Sequence, residues 1–202
     1  MTTKIKSFII IISFVCSMCL LGGCQNDDYE DESLMHQAVL VDESDYHKVY
    51  IFSYNDNLDD YMYFIFDKNG EKLDSACYQK HCPKIEELSS DILKSTLVYG
   101  TDAYIVKYYD VTNSIVSPDF QGVCYDDEEK VAYIDFKNDK TYLKIQKMFS
   151  DDVILKEELN LGDAVVATTS SFDVSISGDT VIVKHPYGSD YKEITETFSL
   201  KD

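Results

Sequence analysis

The sequence contains no arginine and no tryptophan, so all 18 of its formally basic residues are lysine. Against them stand 37 acidic residues, which give a formal net charge of −19. A surface of that sign repels phosphate backbones and anionic lipid head groups. We therefore exclude nucleic acid as a ligand. Charged partners are expected to be basic proteins or cations, unless the acid serves only to keep the protein in solution.

Recognisable catalytic motifs are also missing. The sequence has no Gly-x-Ser-x-Gly nucleophile elbow, no His-Glu-x-x-His zinc motif and no phosphate-binding glycine loop. The two carboxylates of a glycosidase are brought together by the fold, so their spacing in the sequence neither indicates nor excludes such a pair. The expectation is a protein that is not an enzyme and needs no cofactor.

An apolar run long enough for a membrane-spanning helix is not found at the amino-terminal end either. Residues 8–21 form an apolar run of 14 residues, whereas a spanning helix needs about 20. Lys4 and Lys6 precede this run, and Gly22 and Gly23 follow it. A positive segment, a short apolar segment and small residues form the order of a secretory signal peptide.

At the end of this run, Leu21-Gly22-Gly23-Cys24 resembles the lipobox of bacterial lipoproteins. The resemblance implies transfer of a diacylglyceryl group to the Cys24 sulfur and cleavage before Cys24. This chemistry needs a cysteine because a thiolate is the nucleophile that forms the thioether. Two acyl chains bind a membrane almost irreversibly. An uncleaved anchor and an ordinary secretory signal are the alternatives.

Three segments follow from this interpretation: a signal peptide at 1–23, the lipidated cysteine with an acidic tether at 24–33, and a single β-rich extracytoplasmic domain at 34–202. Removing 23 of the 202 residues leaves 179, and losing Lys4 and Lys6 changes the net charge from −19 to −21. That length suits one domain with a substantial core. The predicted location is the outer face of the bacterial cell membrane. Gln25 would also be compatible with the outer membrane of a two-membrane cell.

Most of the domain has the pattern of β-strands. Residues 48–54 and 61–66 are apolar on both faces, and Asn69-Gly70 after them is a strong hairpin signal. Residues 130–136 and 141–147 are expected to pair across Asn138-Asp139. Near the end, Phe172, Val174 and Ile176 alternate with polar residues. After the turn at Gly178-Asp179, Val181 and Val183 alternate with Thr180, Ile182 and Lys184. We predict an all-β fold of antiparallel meander sheets, either a sandwich or an open propeller-like stack.

One short helix is predicted near residues 83–95. Ile85, Leu88, Ile92 and Leu93 fall on one face at helical spacing, and Pro83 suits a first helical turn.

The segment Tyr109-Asp110-Val111-Thr112-Asn113-Ser114, followed by Ser117-Pro118-Asp119, resembles motifs of bacterial β-propeller repeats. The resemblance implies four-stranded blades of about 45 residues, of which the domain has room for three or four.

After removal of residues 1–23, three cysteines remain besides Cys24. Cys77 and Cys82 are the candidates for a disulfide, and another pairing with Cys124 or free buried thiols are the alternatives. Cys77, His81 and Cys82 lack the two ligand pairs of a zinc site, so no metal site is predicted.

The loop at 55–60 lacks the glycine and glutamate of a calcium-binding EF-hand. The acidic run at 126–129 is expected to be a solvated turn, because side chains of an extended chain alternate sides.

We interpret the chain as a lipid-anchored extracytoplasmic module that acts through binding or protein contact at the cell envelope, held to the membrane by acyl chains on Cys24. The alternatives are a surface receptor that captures a ligand or cation, and an envelope hydrolase. A contact protein would show an exposed apolar or tyrosine-rich patch. A receptor would show a pocket with convergent polar groups.

Overall fold

The computed structural model describes residues 38–55, 60–79, 82–100, 103–166 and 168–200, without the side chains of residues 53–55, 60 and 77–79. The predicted signal peptide and Cys24 therefore lie outside the described residues. No helix in the described ranges is long and apolar enough to cross a membrane.

Four antiparallel sheets make up the described chain, and each is built from strands that follow one another in sequence. The first sheet consists of β1 (Val39–Glu43), β2 (His47–Asn55), β3 (Asp60–Asp67) and β4 (Lys72–Gln79). The second contains β5 (Lys84–Ser89), β6 (Ile92–Gly100), β7 (Ala103–Asp110) and β8 (Ile115–Val116), with β9 (Phe120–Gln121) also on β7. The third has β10 (Val123–Asp126), β11 (Lys130–Lys137), β12 (Lys140–Lys147) and β13 (Val153–Leu159). After a 3-10 turn (Thr169–Ser171), the fourth has β14 (Asp173–Ser177), β15 (Thr180–Tyr187) and β16 (Lys192–Ser199).

The all-β meander is thus confirmed, and the described residues form four sheets rather than the two of a sandwich. Hairpins form where local chemistry predicts them. Gly70 has a φ of 82° in the turn between β3 and β4. Asn138 and Asp139 have φ of 53° and 59° between β11 and β12, as a two-residue hairpin loop of type I′ requires.

Successive sheets pack face to face through three apolar clusters. Val49 and Tyr63 of the first sheet meet Leu93 and Tyr109 of the second. The cluster between the second and third sheets includes Val106, Tyr108, Phe120, Val131 and Met148. The third and fourth share the cluster that contains Ile134, Leu143, Phe172, Val174, Val181 and Val183. The alternation predicted for the last third of the chain is confirmed, since these last four side chains are buried.

The prediction of a helix near residues 83–95 is wrong. β5 and β6 occupy that stretch as a hairpin that turns at residues 90–91. Ile85 and Leu93 pack into the cluster shared with the first sheet, whereas Leu88 and Ile92 pack into the cluster shared with the third. A strand pair covered on both faces needs apolar residues on both, and here their spacing coincided with that of a one-faced helix.

Asp67 joins the first two sheets through a buried carboxylate. One oxygen accepts bonds from the backbone N–H groups of Asn69 at 2.8 Å and Glu71 at 2.9 Å, and the other accepts the Ser114 hydroxyl at 2.7 Å. Burial, the largest single influence, would raise the pKa of Asp67. The bonds from Ser114, Glu71 and Asn69 together outweigh it, so the pKa lies below its usual value of 3.8.

Asp67 should therefore make the fold sensitive to acid. Because the folded pKa lies below the unfolded one, ionised Asp67 adds stability above about pH 4 that disappears as the pH falls through the folded value. We expect the urea midpoint of the wild type to fall more steeply than that of Asp67→Asn from about pH 6 to about pH 3. The control Asp179→Asn changes an exposed carboxylate and should keep the wild-type slope. Equal slopes for Asp67→Asn and the wild type would contradict this assignment.

Candidate functional site

A cleft of about 470 Å³ opens between the second and third sheets, beside the end of β6 and the beginning of β7. Its volume lies within the range of about 300–1,000 Å³ that is common for small-molecule sites. We call it the inter-sheet cleft and define it by Tyr99, Tyr104, Asp119, Gln121, Tyr133 and Phe136.

The floor of the cleft depends on a glycine. Gly122 has a φ of 69°, and a Cβ there would lie 2.6 Å from the Ile134 carbonyl oxygen and 2.9 Å from Cγ2 of Thr169. Ile134 donates its backbone N–H to the Gly122 carbonyl at 2.9 Å. The backbone between β9 and β10 can therefore lie directly against β11 and the 3-10 turn because residue 122 has no side chain.

Hydrogen bonds hold the tyrosines of the cleft in place. Tyr104 donates its hydroxyl to the Val123 carbonyl, and its oxygen lies 3.3 Å from Oγ1 of Thr169. Tyr133 donates to Oε1 of Gln146 at 2.9 Å. Both rings are thereby fixed as walls of the cleft, which lowers the entropic cost of placing a ligand against them.

A lysine and an aspartate neutralise each other on one side of the cleft. Nζ of Lys144 lies 2.5 Å from Oδ2 of Asp135 and 5.7 Å from the centre of the Tyr133 ring. The hydrogen bond with Asp135 raises the pKa of Lys144. Burial chiefly raises the pKa of Tyr133, which Asp135 raises further and Lys144 opposes. The raised pKa values of both groups keep the tyrosine neutral and the lysine charged near pH 7.

On the other side, Asp119 links the cleft to a buried polar network. Lys107 lies between two carboxylates, with Nζ 3.4 Å from Asp119 and 3.2 Å from Asp74. Oδ2 of Asp74 is 3.1 Å from the Tyr63 hydroxyl and 2.9 Å from the Tyr109 hydroxyl. The two hydroxyl oxygens lie 2.8 Å apart, so their two protons serve three close contacts.

A similar pair of contacts joins the second and third sheets at another point. Tyr108 donates its hydroxyl to Oδ2 of Asp126 at 2.7 Å, and Nζ of Lys94 lies 2.5 Å from the same oxygen. Burial, followed by the bond to Asp126, strongly raises the pKa of Tyr108. Residues 127–129 of the acidic run form the turn between β10 and β11, as predicted, whereas Asp126 ends β10 and faces into the sheet contact.

A second cleft, of about 770 Å³, lies between the β11–β12 hairpin and the loop after β13. Its lining includes the Lys140–Glu158 ion pair, at 2.7 Å, and Val165, whose side chain is 80% exposed. Turn and loop residues make up much of this lining, whereas strands and fixed aromatic rings form the inter-sheet cleft. The inter-sheet cleft is therefore the better-built candidate.

Ser44, His47 and Asp42 form a serine–histidine–aspartate chain in the first hairpin. Oγ of Ser44 lies 2.9 Å from Nδ1 of His47, and Nε2 lies 3.0 Å from Oδ2 of Asp42. All three belong to β1, β2 and the turn between them, and Ser44 also accepts the N–H of Tyr46 at 3.1 Å. His47 is buried. This arrangement satisfies a buried imidazole and closes the hairpin.

The sites predicted from the sequence lie away from the cleft or outside the description. Cys24 and His81 fall outside the described residues, and Cys77 lies on β4 without a described side chain. Cys82 has an exposed free thiol in this structure. Because the side chain of Cys77 is not described, the disulfide between Cys77 and Cys82 stays a prediction. Burial raises the pKa of Cys124 to about 12, which makes that thiol unreactive. The described part of the chain holds no group of three or more metal-ligating side chains.

Sequence patterns did not identify Gln121, Phe136 and Lys144 as site residues. Asp119 lies within the segment that resembles a propeller motif, and that resemblance predicts no binding role for it. Only the packing of the second sheet on the third brings these residues to one place.

Comparison with known proteins gives a similarity to a solved structure but no family. No protein family matches the sequence, and no curated protein matches it either. Among solved structures, the chain is similar to the β-propeller domain of the Trilobed protease from Pyrococcus furiosus, which has an open velcro topology. The TM-score is 0.41 at 14% identity, over 82% of this chain and 55% of that chain. The chain thus spans little more than half the length of the propeller chain.

Proposed function

We propose that the chain is a lipid-anchored binding module on the outer face of a bacterial cell membrane, and that it captures a ligand in the inter-sheet cleft. The anchor is the lipobox resemblance at Cys24. The cleft is the observation that carries the binding function, because aromatic, charged and amide side chains from two sheets converge there. This favours ligand capture, the receptor alternative, over contact through a flat surface.

Contact with another protein is the second candidate, and a separate surface favours it. Val39, Leu40 and Val41 on β1 are 65%, 40% and 51% exposed. Adjacent apolar side chains on an outer strand are a common feature of protein-binding surfaces.

Photocrosslinking on intact cells tests the cleft directly. A benzophenone amino acid replaces Gln121 in the full-length protein and, in a control, Ser175 on the exposed face of β14. Benzophenone inserts into C–H bonds of any organic ligand, so the test does not depend on the ligand's identity. We expect an adduct at position 121, seen as a mass increase of the protein, and none at position 175. An unchanged mass at position 121, or equal adducts at both positions, would refute ligand capture in the cleft.

A further inference from the structure

The chemistry of the inter-sheet cleft also indicates the class of its ligand, an inference that rests on the proposed function. Two exposed aromatic side chains, one from each sheet, stand at its rims. Tyr99 near the end of β6 is 46% exposed, and Phe136 near the end of β11 is 41% exposed. The Phe136 ring is supported from behind by Phe172, with ring centres 6.1 Å apart. Supported aromatic faces left in water are suited to stacking on a ligand.

Each charged side chain that lines the cleft lies beside a charge of opposite sign, although the whole chain is strongly acidic. Asp135 is paired with Lys144 at 2.5 Å, and Asp119 has Lys107 at 3.4 Å. Each acid of the cleft therefore lies beside a lysine, although Lys107 also pairs with Asp74 at 3.2 Å and is shared between the two carboxylates. A cationic ligand would have to displace a lysine, and an anionic ligand would have to displace an aspartate while entering an acidic protein. The cleft favours an uncharged ligand.

The polar groups of the cleft offer donors and acceptors side by side. Asp119 is 55% exposed and accepts, the Lys144 ammonium donates, and the exposed Gln121 amide does both. A ligand suited to this set carries many groups that each donate and accept, which is the property of hydroxyls. Its carbon skeleton must also present C–H faces to Tyr99 and Phe136.

From these observations we infer that the inter-sheet cleft binds a short segment of a neutral saccharide. The C–H faces of the sugar rings stack on Tyr99 and Phe136, and the hydroxyls bond to Gln121, Asp119 and Lys144.

The test uses purified full-length protein in detergent on a printed array of neutral bacterial oligosaccharides, with anionic oligosaccharides and lysine-rich peptides as further arms. We expect binding to neutral saccharides that falls at least about tenfold in Tyr99→Ala and in Phe136→Ala, equivalent to about 1.4 kcal/mol. Tyr191→Ala removes a 55% exposed aromatic ring that is not among the lining residues of the cleft, and it should bind like the wild type.

A second variant separates a neutral ligand from a cationic one. Asp119→Asn keeps the shape and an acceptor oxygen for a sugar hydroxyl but removes the charge, so a neutral saccharide should lose only about threefold in affinity, whereas a cationic ligand should lose at least about tenfold. Binding confined to the peptides or to anionic saccharides, or a tenfold loss in Asp119→Asn, would overturn the inference. No binding on any arm, together with a crosslinked adduct at position 121, would reject the saccharide and leave the binding cleft standing.

Discussion

Asp74→Ala is expected to lower the free energy of unfolding by about 3 kcal/mol, because it removes the shared acceptor of a buried network. The Tyr63 and Tyr109 hydroxyls, whose side chains are 1% and 0% exposed, lose their carboxylate, and Lys107 loses a charged partner. A hydrogen bond to a charged group contributes about 1.5–3 kcal/mol, and the contact between the two hydroxyls, 2.8 Å apart, offsets part of the loss. Thermal unfolding should begin at the contact of the first two sheets, with a melting temperature lower by about 6–12 °C.

Two further variants show whether the network causes this loss. Asp74→Asn retains an acceptor oxygen for the tyrosine hydroxyls and should recover part of the stability. Asp173→Ala removes a carboxylate that is 72% exposed and paired with Lys184 at 3.3 Å, and it should cost no more than about 0.5 kcal/mol. If Asp74→Ala is as mild as Asp173→Ala, the network does not hold the two sheets together.

Gly122→Ala should have an effect of similar size and should also disable the cleft. The left-handed conformation costs a residue with a side chain about 1–2 kcal/mol. The methyl group must also displace the Ile134 carbonyl oxygen, which would be 2.6 Å away, and overpacking of this kind costs about 1–3 kcal/mol. We expect a loss of about 3 kcal/mol in calorimetry or urea unfolding, and no photocrosslinked adduct from position 121 when both changes are combined.

The matched control is Gly178→Ala in the turn between β14 and β15. Gly178 has a φ of 55°, close to that of Gly122, but an added Cβ meets nothing within 4 Å. This variant bears only the backbone strain, so it should lose about 1–2 kcal/mol and leave the adduct at position 121 unchanged. A loss as large as that of Gly122→Ala would show that crowding at the cleft floor contributes nothing.

Local chemistry explains which parts of the fold were predictable. Asn69-Gly70 and Asn138-Asp139 favour a positive φ, and both pairs form hairpin turns. The alternating pattern of apolar residues around Phe172 and Val181 is likewise local. It arises because successive side chains of a strand point to opposite faces, of which one is buried and the other faces solvent. Features of this kind need no knowledge of distant residues.

The hairpin at 84–100 was mispredicted because the spacing of its apolar residues is compatible with two structures. Ile85, Leu88, Ile92 and Leu93 suit one face of a helix, but they also suit two faces of a strand pair that lies between sheets. Only the presence of the first and third sheets on either side decides between them. A helix was predicted because a covered second face cannot be seen in one segment.

The candidate site was hidden for the same reason. Gln121 and Phe136 have no motif in common, and Asp74 meets Lys107 across 33 positions of the chain. Their proximity results from the packing of whole sheets. The anchor, in contrast, can be predicted from the sequence because the motif Leu21-Gly22-Gly23-Cys24 consists of four consecutive residues.

The proposed anchor would determine where the cleft meets its ligand. A domain tethered through Cys24 samples only the medium and the polymers next to the membrane. Neutral saccharide on the outer face of a cell would then be present at high local concentration, so even a weak site would be occupied.

The most direct test of this account is the intact mass of the mature protein isolated from its native cell. A lipid-anchored module should begin at Cys24, carry a diacylglyceryl thioether on that sulfur and lack residues 1–23. An unmodified Cys24 sulfur, or a chain that retains its amino-terminal segment, would contradict it.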